Sequence, residues 1–248
     1  MPTPNKKIIV VAVVAFVVAA SVAKLIIFKK EFRYAGTIEA TKIDIPSRLS
    51  SVIATLTSKE GDKVQSGQML LTLSCEDYTL NANLANDNYA RAEQLFKEGS
   101  LAKQDYDSVK NKKDDADLRV SWCSIKAPIT GTILTKYHET GEMVSPGTKL
   151  FTVADIKDIY AYIYVPQPKI ASLHLQDKVS GILPELNGRI FEGTITWIAD
   201  EAEFTPKNVQ TEAERTRLVY AVKVAFKNDD ETLKPGMTIE VNLLAERK

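Results

Sequence analysis

The chain has 248 residues, 44% hydrophobic and 26% charged, an ordinary globular composition with room for one large domain or two to three small ones. Lys plus Arg and Asp plus Glu each total 32, so no net field favours nucleic acid or anionic lipid, which argues against a basic DNA- or RNA-binding role.

The first element in chain order is apolar. Lys6 and Lys7 precede an uncharged run over residues 8–23, followed by Lys24, then Leu25, Ile26, Ile27 and Phe28, then Lys29 and Lys30. At about 1.5 Å per residue the uncharged run reaches roughly 24 Å, short of a ~30 Å hydrocarbon core. Continuing to Phe28 makes the segment long enough to span, if Lys24 extends its amine to the interface. The segment 1–30 therefore reads as an uncleaved N-terminal membrane anchor. The competing reading is a cleaved signal peptide with Ser21-Val22-Ala23 as its small-x-small site, against which the apolar run continues to Phe28. Lys24, Lys29, Lys30 and Arg33 rival Lys6 and Lys7, so flanking charge does not set the orientation. With no cysteine near the N-terminus, a lipoprotein anchor is not expected.

Next comes an internal repeat. SKEGDKVQSGQMLLTL over 58–73 and HETGEMVSPGTKLFTV over 138–153 superimpose under one constant offset. Gly61 meets Gly141, Val64 meets Val144, Gly67 meets Gly147, Ile53 meets Ile133, and Leu70 meets Leu150. Each copy reads as short alternating strands around a G-[DE]-x-V-x-x-G turn, in which glycine supplies positive φ and the valine points into a core. Each copy is preceded by a strand closed by proline, at Ile45-Pro46 and Ala127-Pro128. Two quasi-symmetric β halves of this kind resemble the biotinyl/lipoyl fold, with halves at 42–74 and 123–154.

Between the halves lies a helical insert over 75–122. Tyr78, Ala82, Ala85, Tyr89, Ala92 and Phe96 form a heptad seam, and Ala102, Tyr106, Val109, Lys113, Ala116 and Val120 form a second. Gly99 suits a helix C-cap between them. The pattern predicts an antiparallel coiled-coil hairpin with arms of about 20 residues, roughly 30 Å long. A lipoyl or biotinyl carrier places its modified lysine in a tight turn at this point. No lysine stands in such a turn here, so no covalent cofactor is expected.

From residue 155 to 248 the pattern is strand-like again, alternating over 159–165, 189–198, 218–226 and 237–244 with turns at Pro166, Pro184, Asn187-Gly188 and Pro235-Gly236. Four to six such strands predict a small β-barrel, with residues 31–41 pairing onto it and a short helix at 170–175 plugging one end. The fold class expected is mainly β with an α-helical hairpin: a split lipoyl-like barrel-sandwich, a coiled-coil insert, a C-terminal β-barrel and an N-terminal anchor.

This order of parts resembles the HlyD-type membrane fusion proteins. Ser124-Ile125-Lys126-Ala127-Pro128-Ile129-Thr130-Gly131-Thr132-Ile133 is similar to the family's I-x-A-P-x-x-G-x-[VI] signature, and Leu233-Lys234-Pro235-Gly236-Met237 to its L-x-P-G-M turn. The resemblance implies a periplasmic adaptor held in the inner membrane by a single N-terminal pass, with the bulk of the chain in the periplasm. It further implies a homo-oligomer, a hexamer by family habit, that joins an inner-membrane exporter to a TolC-type outer-membrane channel. Channel-docking members show R-x3-L-x6-S at the hairpin tip. Here Arg91, Leu95 and Ala102 take those positions, Ala102 replacing the serine and removing one tip hydrogen bond. Arg91 and Leu95 are expected within a turn of the apex. Glu203-Phe204-Thr205-Pro206-Lys207, with Arg215, resembles adaptors paired with ABC-type exporters and marks a transporter-proximal loop. An RND-type multidrug or metal pump is the alternative partner, a biotinyl/lipoyl carrier subunit or a cell-surface coiled-coil protein the remaining readings. The sequence ends soon after the barrel, leaving no space for the further membrane-proximal domain of large RND adaptors.

Catalytic motifs are not found. No G-x-x-x-x-G-K-[ST] loop, G-x-S-x-G elbow or H-E-x-x-H occurs, and His138 and His174 lie far apart, so neither an enzyme nor a metal site is expected. Cys75 and Cys123 are the two cysteines. They flank the insert, where its arms leave and re-enter the lipoyl-like domain side by side, and the periplasm implied by the resemblance is oxidising. A disulfide at the hairpin base is therefore expected, the alternative being two half-buried free thiols.

Overall fold

The computed structural model describes residues 33–204 and 218–243. The expected anchor over 1–30 lies outside them, and among the described residues no helix is long and apolar enough to cross a membrane. The strands are β1 (Tyr34–Pro46), β2 (Ser51–Leu56), β3 (Lys63–Val64), β4 (Met69–Leu73), β5 (Ser124–Lys126), β6 (Gly131–Lys136), β7 (Met143–Val144), β8 (Lys149–Pro166), β9 (Lys178–Leu183), β10 (Arg189–Ile198), β11 (Glu203–Phe204), β12 (Leu218–Lys227) and β13 (Thr238–Asn242). Helices α1 (Glu76–Lys97) and α2 (Lys103–Ser121) fill the space between β4 and β5, and α3 (Gln167–Ile170) is a single turn.

Two compact units form. One is Thr37–Ala161 with Ala225–Met237; the other is Tyr162–Val224 with the described residues of Met1–Gly36 and Thr238–Lys248. β8 runs unbroken through the sequence-based division at 154/155, and the Pro235-Gly236 turn packs with the first unit. Asn228 explains the second point. Its buried side chain donates to the carbonyls of Ile156 and Leu233 and accepts from the Leu233 amide, while Gly236 donates to Ile38 at 2.8 Å.

The first unit is a sandwich built twice. One sheet has the order β5-β4-β2-β7, and β1-β8-β6-β3 run in the corresponding order of the other. Under the repeat offset the two orders coincide, and each sheet takes edge strands from the opposite copy of the repeat. Backbone hydrogen bonds repeat the exchange. Gly61 donates to Ile133 and Gly141 to Ile53, both at 2.9 Å; Ile133 donates to Asp62 at 3.0 Å and Ile53 to Glu142 at 2.9 Å. Gly67 donates to Ala127 at 2.8 Å and Gly147 to Ser47 at 2.9 Å. Even the irregularity is shared, with a register shift between Ile53 and Thr55 and another between Ile133 and Thr135. Ile53, Ile133, Val64, Val144, Leu70 and Leu150 are each 2% exposed or less, so the alternation in both copies ends in one core.

The second unit is a closed antiparallel barrel. Its strands follow the order β12-β10-β9-β13-β1-β8, and a β12–β8 pairing closes the ring. Ile163, Val165, Val179, Leu183, Ile195, Val219, Val222, Ile239 and Val241 are buried. Two readings of this region need correction. Lys178–Leu183 is a strand that the sequence pattern did not single out, because Ser180 and Gly181 blunt its alternation. The short helix falls at Gln167–Ile170 rather than 170–175, since Pro168 in its first turn suits a helix start and residues 171–172 already turn away.

Candidate functional site

The helical hairpin leaves the sandwich at Cys75 and returns at Cys123. Its two arms are antiparallel: Asn86 donates to Asp117 at 3.0 Å, and the hydroxyls of Tyr89 and Tyr106 meet at 2.9 Å. The seam is the one its spacing specifies. Ala82 and Ala92 are buried, and Tyr106, Val109, Lys113, Ala116, Asp117 and Val120 are the shielded positions of α2. Phe96, expected in the seam, is partly open but stacks on Tyr106 with centroids 4.6 Å apart.

A polar layer sits midway along the seam. Lys113 pairs with Asp117 at 2.8 Å and lies 6.0 Å from the Tyr89 ring. Asn86 bridges Asp117 to the carbonyl of Ala82. The shared hydrogen bond raises the Lys113 pKa and lowers that of Asp117. Lys113 also lies 3.5 Å from Asp114, and a charged residue in a heptad seam with matched partners specifies register at little gain in stability. Lys113 stood out in the sequence as the polar intrusion; its i+4 acid, Asp117, was the signal for its partner.

The apex is set by glycine. Gly99 has φ +73°, its amide donates to Phe96 at 3.0 Å, and the Ser100 amide reaches back to Leu95 at 2.8 Å. These two bonds are the paired C-terminal closure in which a left-handed residue satisfies the last carbonyls of a helix. Leu95 thus lies in the final turn of α1 and is exposed. Ala102 is the N-cap of α2 and makes no side-chain cap, so the hydroxyl that serine would offer to the first amides is missing. Arg91 is different from expectation. It lies nearly two turns down the arm from Lys97, where α1 ends, and its guanidinium bonds to Asn88. The structure brings Leu95 and Ala102 to the apex and leaves Arg91 on the flank.

The base is clamped. Cys75 and Cys123 form a disulfide with Cα atoms 6.2 Å apart, at a sequence separation of 48. Beside it the Leu73 amide donates to the Cys123 carbonyl at 2.9 Å, and the Arg48 guanidinium stands 5.6 Å from the Trp122 ring. Cys75, Tyr78 and Trp122 pack on the sandwich core, which includes Cys123. The Arg48–Trp122 contact has no sequence signal, because one residue comes from the first half of the sandwich and the other from the end of the helical insert.

Of the loop expected to face a transporter, Phe204 is described. It ends β11, opposite Leu218, and its side chain is exposed. Thr205, Pro206, Lys207 and Arg215 lie outside the described residues. Among the described residues no cluster could hold a metal; His138 is bonded to Glu142 and His174 lies near Asp177.

Comparison with known proteins agrees with this geometry. Residues 41–155 match the family described as CzcB-like, barrel-sandwich hybrid domain, and residues 159–247 match the CusB-like, beta-barrel domain. A UPF0194 membrane protein in the asrC 5′ region of Acidithiobacillus ferridurans is 36% identical over 117 residues, 47% of this chain and 35% of that one. A UPF0194 membrane protein of Enterobacter sp. (strain 638) is 29% identical over 126 residues, 51% of this chain and 38% of that one. The match thus spans little more than a third of the length of these relatives. In fold, the MacA-MexA chimeric protein containing the Pseudomonas aeruginosa MexA alpha-hairpin domain gives a TM-score of 0.70 at 19% identity, over 86% of this chain and 80% of that one. The membrane fusion protein Spr0693 from Streptococcus pneumoniae R6 gives 0.61 at 16% identity, over 87% and 99%. The chain is therefore similar, part by part, to CzcB-like barrel-sandwich hybrid domains over residues 41–155 and to CusB-like β-barrel domains over residues 159–247.

Proposed function

We propose that the chain is a periplasmic adaptor that couples an inner-membrane exporter to an outer-membrane channel in efflux or secretion. Its role is mechanical, with no chemical step and no cofactor. The observation that carries this reading is the clamped hairpin. A lipoyl-like sandwich, whose two halves hold each other, projects a stiff helical arm from the place where a carrier domain has its modified lysine. An arm fixed at its base by a disulfide, and in register by Lys113 and Asp117, transmits position from one end to the other. Several copies side by side, six by family habit, would line a duct with the hairpin apices toward a TolC-type channel.

An ABC-type exporter is the preferred partner, on the likeness of Glu203-Phe204-Thr205-Pro206-Lys207 and Arg215 to adaptors of such systems. An RND-type transporter is the second reading, supported by the RND-type barrel family matched over residues 159–247.

Two experiments test the proposal. The Arg91→Asp, Leu95→Asp double variant should lose export in cells while its circular dichroism and melting midpoint stay unchanged; full export by that variant removes the docking role of the hairpin. A photo-crosslinker at Lys207 should capture an inner-membrane transporter. Cross-links only to an outer-membrane channel would reverse the polarity of the arrangement.

A further inference from the structure

The two ends of the barrel differ in how the chain reaches them. Its neighbouring strands are antiparallel: Arg189↔Leu183 in β9–β10, Glu240↔Ile182 in β9–β13, Ala199 to Ala221 in β10–β12, and Ile38 to Met237 in β1–β13. Alternation around the closed ring forces β1, β9 and β12 to begin at the same end at which β8, β10 and β13 finish. That rim therefore holds Tyr34, Pro166, Lys178, Ile198, Leu218 and Asn242. The opposite end holds the β9–β10 turn at Asn187 and Gly188.

The first rim carries large exposed apolar side chains alongside exposed Lys178, Asp200, Glu201 and Glu203. Leu175, in the connection between β8 and β9, is 58% exposed; Phe204 and Leu218, paired across β11 and β12, are 73% and 46% exposed. Just below, on the outer wall, Trp197 is 44% exposed and meets the Tyr162 ring edge-on, with Lys223 5.9 Å from the same ring. Leucine and phenylalanine at an edge, with tryptophan, tyrosine and lysine in the next tier, is the ordering of side chains across a bilayer interface. Apolar groups enter the acyl boundary, while amphipathic rings and amines sit among headgroups.

The chain's own connectivity selects the occupant. The apolar run of the sequence ends at Phe28, and Arg33, paired with Glu240 at 3.0 Å, already belongs to the barrel at this rim. The intervening residues 29–33 can extend no more than roughly 17 Å. If the N-terminal run lies in a bilayer, this rim cannot be far from the lipid surface, whereas nothing ties the opposite end to it.

We infer that the rim formed by Leu175, Phe204 and Leu218, with Trp197 and Tyr162 behind it, is a lipid-contacting surface that seats the barrel on the headgroup region of the membrane that anchors the chain. The inference rests on the anchored-adaptor reading and adds a second, non-covalent contact to the single pass. It makes the barrel a foot rather than a tethered ball.

Labelling tests this directly, because both native cysteines are tied in the disulfide and leave an introduced thiol as the one reactive site. Phe204→Cys and Ile190→Cys, each carrying an environment-sensitive fluorophore, are placed in the full chain. Ile190 is comparably exposed, at 65%, but sits near the other end. The chains are reconstituted, without any other protein, in phosphatidylethanolamine–phosphatidylglycerol vesicles, with flotation scored first. Emission from position 204 should shift to the blue and be quenched by headgroup-region nitroxide lipid, while position 190 should show neither. Vesicle flotation with equal, unshifted emission at the two positions overturns the lipid contact and leaves the anchor standing. A chain that does not float removes both. A shift at 204 that requires an added transporter assigns the rim to protein instead, and also overturns the inference.

Discussion

The two copies of the sandwich repeat share backbone, turns and core, yet they end differently. Where the first copy reaches Cys75, the second reaches its counterpart Asp155. From Cys75 the chain turns into α1, is bridged to Cys123, and returns. From Asp155 the strand simply continues as β8 to Pro166. The faces also differ. Asp44 is held by Lys149 and Thr152, whereas the residues that match this trio in the opposite copies, Ser124, Met69 and Thr72, form no such ion pair. The comparison teaches that the hydrogen-bonded frame tolerates any continuation at its exits. Each sheet is already completed by strands from the other copy, so an insert at one exit leaves the ladders whole.

The largest effect is expected where the exits differ. Replacing Cys75 and Cys123 by serine releases a loop closed at a sequence separation of 48 and should cost up to about 4 kcal/mol on the chain-entropy account. The measurement is the denaturant midpoint, with limited proteolysis of the hairpin arms as a local readout; an unchanged midpoint would show that the Arg48–Trp122 contact and the core already fix the base.

A second test exchanges residues at equivalent positions. A Cβ on Gly131 would lie 2.5 Å from the carbonyl oxygen of Ala154, so Gly131→Ser forces backbone to move and should cost about 3 kcal/mol. The matching residue of the first copy is Ser51, whose hydroxyl bonds to the Ser74 carbonyl; Ser51→Gly should cost about 1 kcal/mol. Equal midpoints for the two variants would break the proposed asymmetry.

The shared turns should respond alike. Gly67 and Gly147 have φ of +84° and +90°, with open space where a Cβ would go. Alanine at either position is penalised by backbone conformation alone, about 1–2 kcal/mol each. Unequal losses in thermal melts would show that the two halves do not carry the same load.

The smallest effect is electrostatic. Hydrogen bonds from Lys149 and Thr152 hold the Asp44 carboxyl below its ordinary value of 3.8. A depressed folded pKa stabilises above the unfolded value, and that stabilisation is lost as pH falls from about 3.8 through the lower folded value. Asp44→Asn should therefore destabilise slightly at neutral pH and flatten the acid limb of the stability curve. Because the pair is open to solvent, the change should shrink in high salt. An acid limb identical to that of the parent chain would remove the interaction from the account.

Much of the frame was legible in the residues. Positive-φ turns need glycine and one core needs Val and Ile in register, so the repeat left its imprint at one constant offset. The hairpin was readable for the same reason: its seam and its Gly99 stop are local requirements. Arg91 was harder to place, because a motif fixes spacing along the chain but not the residue at which a helix ends. Lys178–Leu183 was hidden by Ser180 and Gly181, whose small side chains carry no period although Gly181 is buried against the barrel interior.

By itself, then, the sequence determined the local alphabet of this protein: the twofold repeat, the helical insert, the turns, and two cysteines beside each other in the topology. Tertiary structure decided what no local pattern encodes. It assigned edge strands of each copy to the other's sheet, carried β8 through the apparent boundary at residue 155, drew residues 225–237 back to the sandwich through Asn228, and gathered Leu175, Phe204 and Leu218 on one rim. The physical reason is the range of the interactions. Backbone dihedrals and side-chain periodicity act within a few residues and mark the sequence directly. Strand exchange and barrel closure are chosen by the pairing of distant backbone groups, which every residue type supplies alike.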